Sequence, residues 1–296
     1  LFDDSGTIPD MNHTLRIIRA DILGYCMGVR RAVEAAEQAL LDNPVRPVYT
    51  YGPLIHNPSA LDRLSRAGVV IIGSDGAPLP EDFHGASVVI RAHGIPPAER
   101  LELERRHAHI VDATCPRVLS SQKRARDWHE KGYTVILAGD LDHGEITGIA
   151  GYAPGCIVLE SSEAAERLER YPEKAVLISQ TTIKQSEYDA IAQVLSKRIP
   201  ELAVFNTICP ATLERQNALE ALAGQVDGII VIGGRNSANT QRLFNTAKTL
   251  CAKAWHIERP EEIPGEAFAL GRVGITAGAS TPDEVIDAVE QALQKV

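Results

Sequence analysis

Three stretches of this chain repeat one pattern, and no other feature limits its fold as strongly. They are LRIIRADILGYCMGVRRAVEAAEQAL around Cys26, HIVDATCPRVLSSQKRARDWHEKG around Cys115, and AVFNTICPATLERQNALEALAGQV around Cys209. Each reads as a short β-rich run, a small or polar turn, a cysteine and an amphipathic helix. In the first helix Val29, Val33, Ala36 and Leu40 recur at helical spacing. Pro116 and Pro210 follow their cysteines directly, where proline suits the first helical turn. Cys26 and Cys115 are 89 residues apart, and Cys115 and Cys209 are 94.

The repeat continues past the cysteines. A second strand-and-loop unit follows in VYTYGPLIHNPSALDRL, TVILAGDLDHGEITGIAGY and GIIVIGGRNSANTQRLFNTA. A third follows in ASVVIRAHGIPPAERLELERR, AVLISQTTIKQSEYDAIAQVLSKR and GRVGITAGASTPDEVIDAVEQAL. The loop residues keep register: His56, His143 and Asn239 lie 30, 28 and 30 residues after their cysteines, and His93, Thr181 and Ser280 lie 67, 66 and 71 after. Strands alternating with helices predict an α/β fold with mostly parallel sheets, whose binding face lies beyond the carboxyl ends of the strands. We therefore expect three pseudo-threefold-related lobes, at 11–108, 109–201 and 202–296, around a central site. Residues 1–10 are expected to be a disordered extension or a cloning remnant.

Charge and composition exclude several classes. Lys plus Arg number 30 against 39 Asp plus Glu, a net charge of −9, which disfavours generic binding to nucleic acid or to an anionic membrane. No apolar run approaches the roughly 18 residues of a membrane span, and no signal peptide is evident, so a cytoplasmic location is expected. Five widely spread cysteines form neither a disulfide framework nor a C-x-x-C pair. Cys156, in a strand-like run, and Cys251, late in a helix, fall outside the repeat and read as packing residues.

Three thiols at helix starts are a plausible metal or cluster site, because a helix N-terminus favours the thiolate. Cys₃His zinc is one reading, giving a zinc-stabilised three-lobed protein without redox activity. A 4Fe-4S cluster with three protein ligands is another, its fourth iron open as a Lewis acid for a reductase or for a non-redox dehydratase. The polar loops favour the open site, since a closed structural one would not need them.

Nine short motifs then carry a resemblance: GYCMGVRRAV, GPLIHNP, RAHGIPP, DATCP, DHGEITG, SQTT, NTICPATLERQ, GGRNSANTQRL and GITAGASTPDEV. In this order, from about Cys26 to Glu284, they resemble the 4-hydroxy-3-methylbut-2-enyl diphosphate reductase family of the non-mevalonate isoprenoid pathway. The resemblance implies that Cys26, Cys115 and Cys209 hold a 4Fe-4S cluster whose open iron takes the allylic hydroxyl of the substrate. Two electrons and protons then expel that hydroxyl as water, leaving isopentenyl and dimethylallyl diphosphate. Glu145 is implied as proton donor and Thr181 as its hydroxyl partner. His56, His93, His143, Ser237, Asn239 and Ser280 are implied to bind the diphosphate substrate, and protonated histidine would offset part of its charge. No flavin or nicotinamide motif is evident, so a ferredoxin or flavodoxin is implied as external electron donor.

Ordinary roles remain open for these residues. His56 sits in a turn before Pro58, Glu145 suits a helix start, Thr181, Ser237 and Ser280 suit helix N-caps, and Asn239 suits a turn. The chain also departs from the family pattern. Tyr25 and Met27 flank the first cysteine, Gly144 replaces a common proline, Ala238 stands where some members carry serine, and Leu213 and Glu214 replace more polar residues.

Overall fold

The longest apolar strand runs, GIIVI, KAVLIS and RVGITA among them, form the centres of sheets and are buried along almost their whole length. Near-continuous hydrophobicity of this kind belongs to parallel strands covered on both faces. The protein is described by a computed structural model over residues 15–43, 45–73 and 76–295. The extension expected at residues 1–10 lies outside the described residues.

In chain order the first repeat gives β1 (Arg16–Arg19), α1 (Met27–Asp42), β2 (Val48–Tyr51), α2 (Pro58–Arg66), β3 (Val69–Ile72), β4 (Ser87–Ile90) and α3 (Pro97–Arg105). The second gives β5 (His109–Asp112), α4 (Pro116–Glu130), β6 (Thr134–Ala138), α5 (Gly144–Ala150), β7 (Ile157–Leu159), α6 (Ser162–Glu166), β8 (Lys174–Ser179) and α7 (Gln185–Ser196). The third gives β9 (Glu201–Phe205), α8 (Pro210–Ala223), β10 (Gly228–Ile232), α9 (Ala238–Leu250), β11 (Ala254–Ile257), β12 (Arg272–Ala277) and α10 (Asp283–Gln294), with two short 3₁₀ turns between β11 and β12.

These strands build three four-stranded sheets of one design, ordered β3-β2-β4-β5, β7-β6-β8-β9 and β11-β10-β12-β1. Every paired strand runs parallel to its neighbour. The fold class read from the repeat is thus the observed one. The sheets cut across the repeat in one respect. The strand that opens each repeat joins the sheet of the preceding one: β5 pairs with β4, β9 with β8, and β1 with β12, Arg16 lying opposite Arg272. The helix after that strand packs on the next sheet. Ala32, Val33 and Ala36 of α1 join Val48 and Val89 in one core, and Leu219 and Leu222 of α8 join Ile229 and Val231 in another. Each of the three cysteines therefore marks the point where the chain leaves one lobe and enters the next.

Central and edge strands should respond differently to truncation. Leu177 in β8 is fully buried, whereas Val204 in the edge strand β9 is 45% exposed. Leu177→Ala should cost about 2–5 kcal/mol and Val204→Ala under about 1 kcal/mol, read from urea midpoints. Equal losses would contradict this placement of the core.

Candidate active site

A repeated hydrogen bond sets the cysteines. The backbone N–H of Cys26 donates to Ala279 O at 3.1 Å, that of Cys115 to Ala92 O at 3.0 Å, and that of Cys209 to Thr181 O at 2.9 Å. In each case the acceptor lies in the loop after the third-unit strand: β12, β4 or β8 respectively. The cysteines then cap α1, α4 and α8. Pro116 and Pro210 open α4 and α8, where no intrahelical N–H is required. Cys26 Sγ accepts the Val29 N–H at 3.4 Å. Gly28, one turn into α1, lets this helix approach the second cysteine: a Cβ there would stand 3.0 Å from Cys115 Sγ.

All eleven residues singled out in the sequence line one cavity of about 800 Å³, including its mouth to solvent. The three cysteines are free thiols. Burial pushes the Cys115 thiol up, and Cys26 and Cys209 add to that, while the N–H groups of Arg117 and Val118 act against it. At Cys115 the dry setting thus outweighs the helix-start effect expected from sequence. Among the described residues, no three His, Cys, Asp or Glu side chains gather closely enough to grip a single metal ion. Cys156, just before β7, and Cys251, which ends α9, pack against separate hydrophobic clusters away from this cavity.

The loops after β2, β4 and β6 bring the histidines together. The His56 and His93 rings stack with centroids 5.6 Å apart, and those of His93 and His143 lie 4.8 Å apart. His143 caps α5, and its Nδ1 accepts the Glu145 N–H at 3.2 Å, which assigns the ring proton of the neutral form to Nε2. Burial lowers the His143 pKa to about 4, with His56, Arg242 and Arg91 lowering it further and Asp140 opposing. Burial likewise puts His93 well below its ordinary value, helped by repulsion from His143, Arg91 and His56. At neutral pH these two rings are uncharged donors, a protonation state the sequence left open. A ring enclosed beside other cations keeps the neutral form.

Glu145 is 1% exposed in the first turn of α5. Thr181 donates to it twice, from N–H to Oε1 at 2.7 Å and from O–H to Oε2 at 2.6 Å. Burial nevertheless raises its pKa to about 7, against the lowering effect of those two bonds and of Arg242. Thr181 is not a helix cap, since α7 begins at Gln185. Ser237 does cap α9, taking the Thr240 N–H at 3.4 Å, and it accepts a 3.5 Å hydrogen bond from Ser280 Oγ. Asn239 Nδ2 is buried without a hydrogen-bond partner. Ala238 lines the same cavity, so no hydroxyl is offered from that position. Met27 instead projects to solvent at 65% exposure, and Tyr25 and Leu213 pack against lobe cores.

The chain matches the LytB protein family over residues 17–294. The chain belongs to the LytB family. It is 51% identical over 283 residues to the 4-hydroxy-3-methylbut-2-enyl diphosphate reductase of Treponema denticola, covering 93% of this chain and 98% of that one. It is 39% identical to the reductase of the same name from Aquifex aeolicus, covering 95% and 96%. A solved structure of (E)-4-hydroxy-3-methyl-but-2-enyl diphosphate reductase aligns over 95% of this chain and 99% of that chain, with TM-score 0.68 and 38% identity. The Plasmodium falciparum E-1-hydroxy-2-methyl-but-2-enyl-4-diphosphate reductase aligns over 93% and 87%, with TM-score 0.83 and 25% identity. The family resemblance seen in the nine motifs is borne out.

Sequence reasoning missed Arg91, Arg215 and Arg242 around this LytB cavity. Arg242 Nη2 bridges from the third lobe to Asp140 Oδ1 in the second at 2.7 Å. Arg91 explains Gly144. Its guanidinium lies in a slot between Gly52 and Gly144: a Cβ at Gly52 would stand 2.6 Å from Nη1, and one at Gly144 would clash with Nη2. A side chain at position 144 would enter the space that this cation occupies. Gly144→Ala should therefore cost about 1–3 kcal/mol of stability and much less in an Arg91→Ala background. Additive losses in a double-mutant cycle would rule out this slot.

Proposed function

We propose that this chain reduces 4-hydroxy-3-methylbut-2-enyl diphosphate to isopentenyl and dimethylallyl diphosphate, taking up two electrons and two protons and releasing water. The observation that carries the reading is a buried carboxyl with a pKa of about 7, in hydrogen bond with a hydroxyl, inside a cavity shared with three cysteine-capped helices.

The donor set fits a 4Fe-4S cluster held by Cys26, Cys115 and Cys209. The thiols are free, each sits at a helix N-terminus, and Gly28 leaves room beside Cys115. Thiolates spread around a cavity suit a bulky polynuclear group better than one zinc ion, whose four ligands crowd a single point. Once bound, such a cluster supplies electrons and an open iron as Lewis acid. The electrons reach it from outside the chain, through a ferredoxin or flavodoxin.

The protein's own groups bind the substrate and move the proton. His56, His93 and His143 offer ring donors, and Ser237, Asn239 and Ser280 offer hydroxyl and amide donors to the diphosphate. The unpartnered Nδ2 of Asn239 gains an acceptor when that anion binds. An incoming polyanion also favours protonated histidine, so substrate binding and proton uptake are linked. Glu145 serves as general acid. It passes a proton to Thr181 Oγ1, whose own O–H turns to the departing substrate oxygen. A hydroxyl leaves as water far more readily than as hydroxide.

Anaerobic reconstitution should give a brown, oxygen-sensitive protein with near four irons and four sulfides per chain, and turnover should oxidise a reduced viologen dye. Absence of dye oxidation with substrate would end the reductase reading. Cys209→Ser should lose most of the visible absorbance, and an unchanged spectrum would remove it as a ligand. Glu145→Gln should keep cluster and substrate affinity but lose at least about 10²-fold in kcat. The acid form of Glu145 predominates below its pKa, so wild-type kcat should fall about tenfold per pH unit well above pH 7. Loss of this limb in the variant's residual activity, measured with the same dye, checks the assignment.

A further inference from the structure

Among the described residues, the fold buries two formally charged side chains almost completely: Glu145 and Arg215, the latter 3% exposed. Glu145 has the Thr181 hydroxyl and amide. Arg215 has no carboxylate. It sits on the buried face of α8 with Thr212, Ala218, Leu219 and Leu222. Its Nη1 donates to Ala211 O in the same helix at 2.8 Å. Its Nη2 donates at 2.6 Å to Gly24 O, in the loop between β1 and Cys26 and two residues before that cysteine. Its Nε is buried without a partner.

A guanidinium stays protonated in proteins, and burying one without an anion is costly. The burial penalty lowers its pKa, and the groups opposing that penalty are Cys26 and Cys209, then Glu214. Glu214 forms no ion pair with it among the described residues, so Cys26 and Cys209 are the groups that most oppose the burial penalty. The guanidinium also lines the cavity that these cysteines share.

We propose that Arg215 is the built-in counter-cation of the anionic group held by Cys26 and Cys209, favouring its reduced state. The inference rests on the cluster reading above. Arg215 acts through the thiolates, so it is a positioning residue. Its fork to Ala211 O and Gly24 O also ties α8, which starts after Cys209, to the loop that leads into Cys26, holding those two ligands at a fixed separation. A nearby cation lowers the energy of the more negative redox state, so removing it should make the group harder to reduce.

The test uses the full chain as wild type, Arg215→Lys and Arg215→Met, each melted as apoprotein and then reconstituted anaerobically. Uptake of iron and sulfide by the wild type checks the cluster reading independently. Apo Arg215→Met should melt no lower than wild type, because methionine fills similar space without a buried charge. After reconstitution it should either lose the cluster or shift its oxidised-to-reduced ratio at least tenfold toward oxidised at fixed potential, about 59 mV for one electron. Arg215→Lys should retain the cluster and most of the wild-type potential. The proposal is overturned by an Arg215→Met cluster with wild-type content and potential, by an Arg215→Met apoprotein that does not fold, or by Arg215→Lys behaving as Arg215→Met does.

Discussion

Parallel pairing governs this molecule. A parallel strand cannot return through a tight turn, so the chain must cross over through a helix and begin each strand at the same end of the sheet. Every loop that follows a strand carboxyl end then emerges on one side. Repeated in three four-stranded sheets of identical order, this rule brings twelve such loops to the strand carboxyl ends, and nine of them line the cavity. The cysteine hydrogen bonds to Ala279, Ala92 and Thr181 express the same rule at atomic scale. Each joins the end of an edge strand to the loop of its inner neighbour.

The cavity gathers groups that the fold would hold more cheaply elsewhere. Three neighbouring histidines, a carboxyl raised to about 7, a guanidinium without a carboxylate and an unsatisfied amide all sit in one enclosed volume. Unpaired buried polar groups lower stability, and the lobe cores outweigh them: Ile136, Leu177, Ile230 and Ile275 are fully buried in the central strands. Their cost concentrates where a polyanion and a cluster would find donors and charges already in place. Preorganised polar groups of this kind serve chemistry at the expense of the empty fold.

Much of this was legible in the sequence because loop chemistry depends on residue type and register. The eleven candidate residues stand in sequence where strands end, and the repeat aligned them. The pairing of β1, β5 and β9 with the preceding sheets was not legible, since a repeat defines a unit and leaves open where its first strand docks. Of the edge strands, β7 showed as the strand-like run after Cys156, whereas β3 and β11 were missed because four residues carry little periodicity. Histidine charge stayed open because it depends on enclosure. Arg215 did leave a signal that went unused: it occupies an apolar position in the helical stripe Thr212, Arg215, Ala218, Leu219, Leu222. A charge in such a stripe asks for a buried partner.

The docking of β1 against β12 has a consequence for the order of events during synthesis. Arg16 is made long before Arg272, which it faces. β1 waits until β10, β11 and β12 have been made, although the first two sheets can already be complete. Cys26 follows that waiting strand and takes its backbone contact from Ala279, so it reaches its place only when the last lobe has closed. Any cofactor machinery that serves this protein must then meet a chain already made past Ala279, and a chain that stopped before β12 would fold two lobes yet present no complete binding cavity.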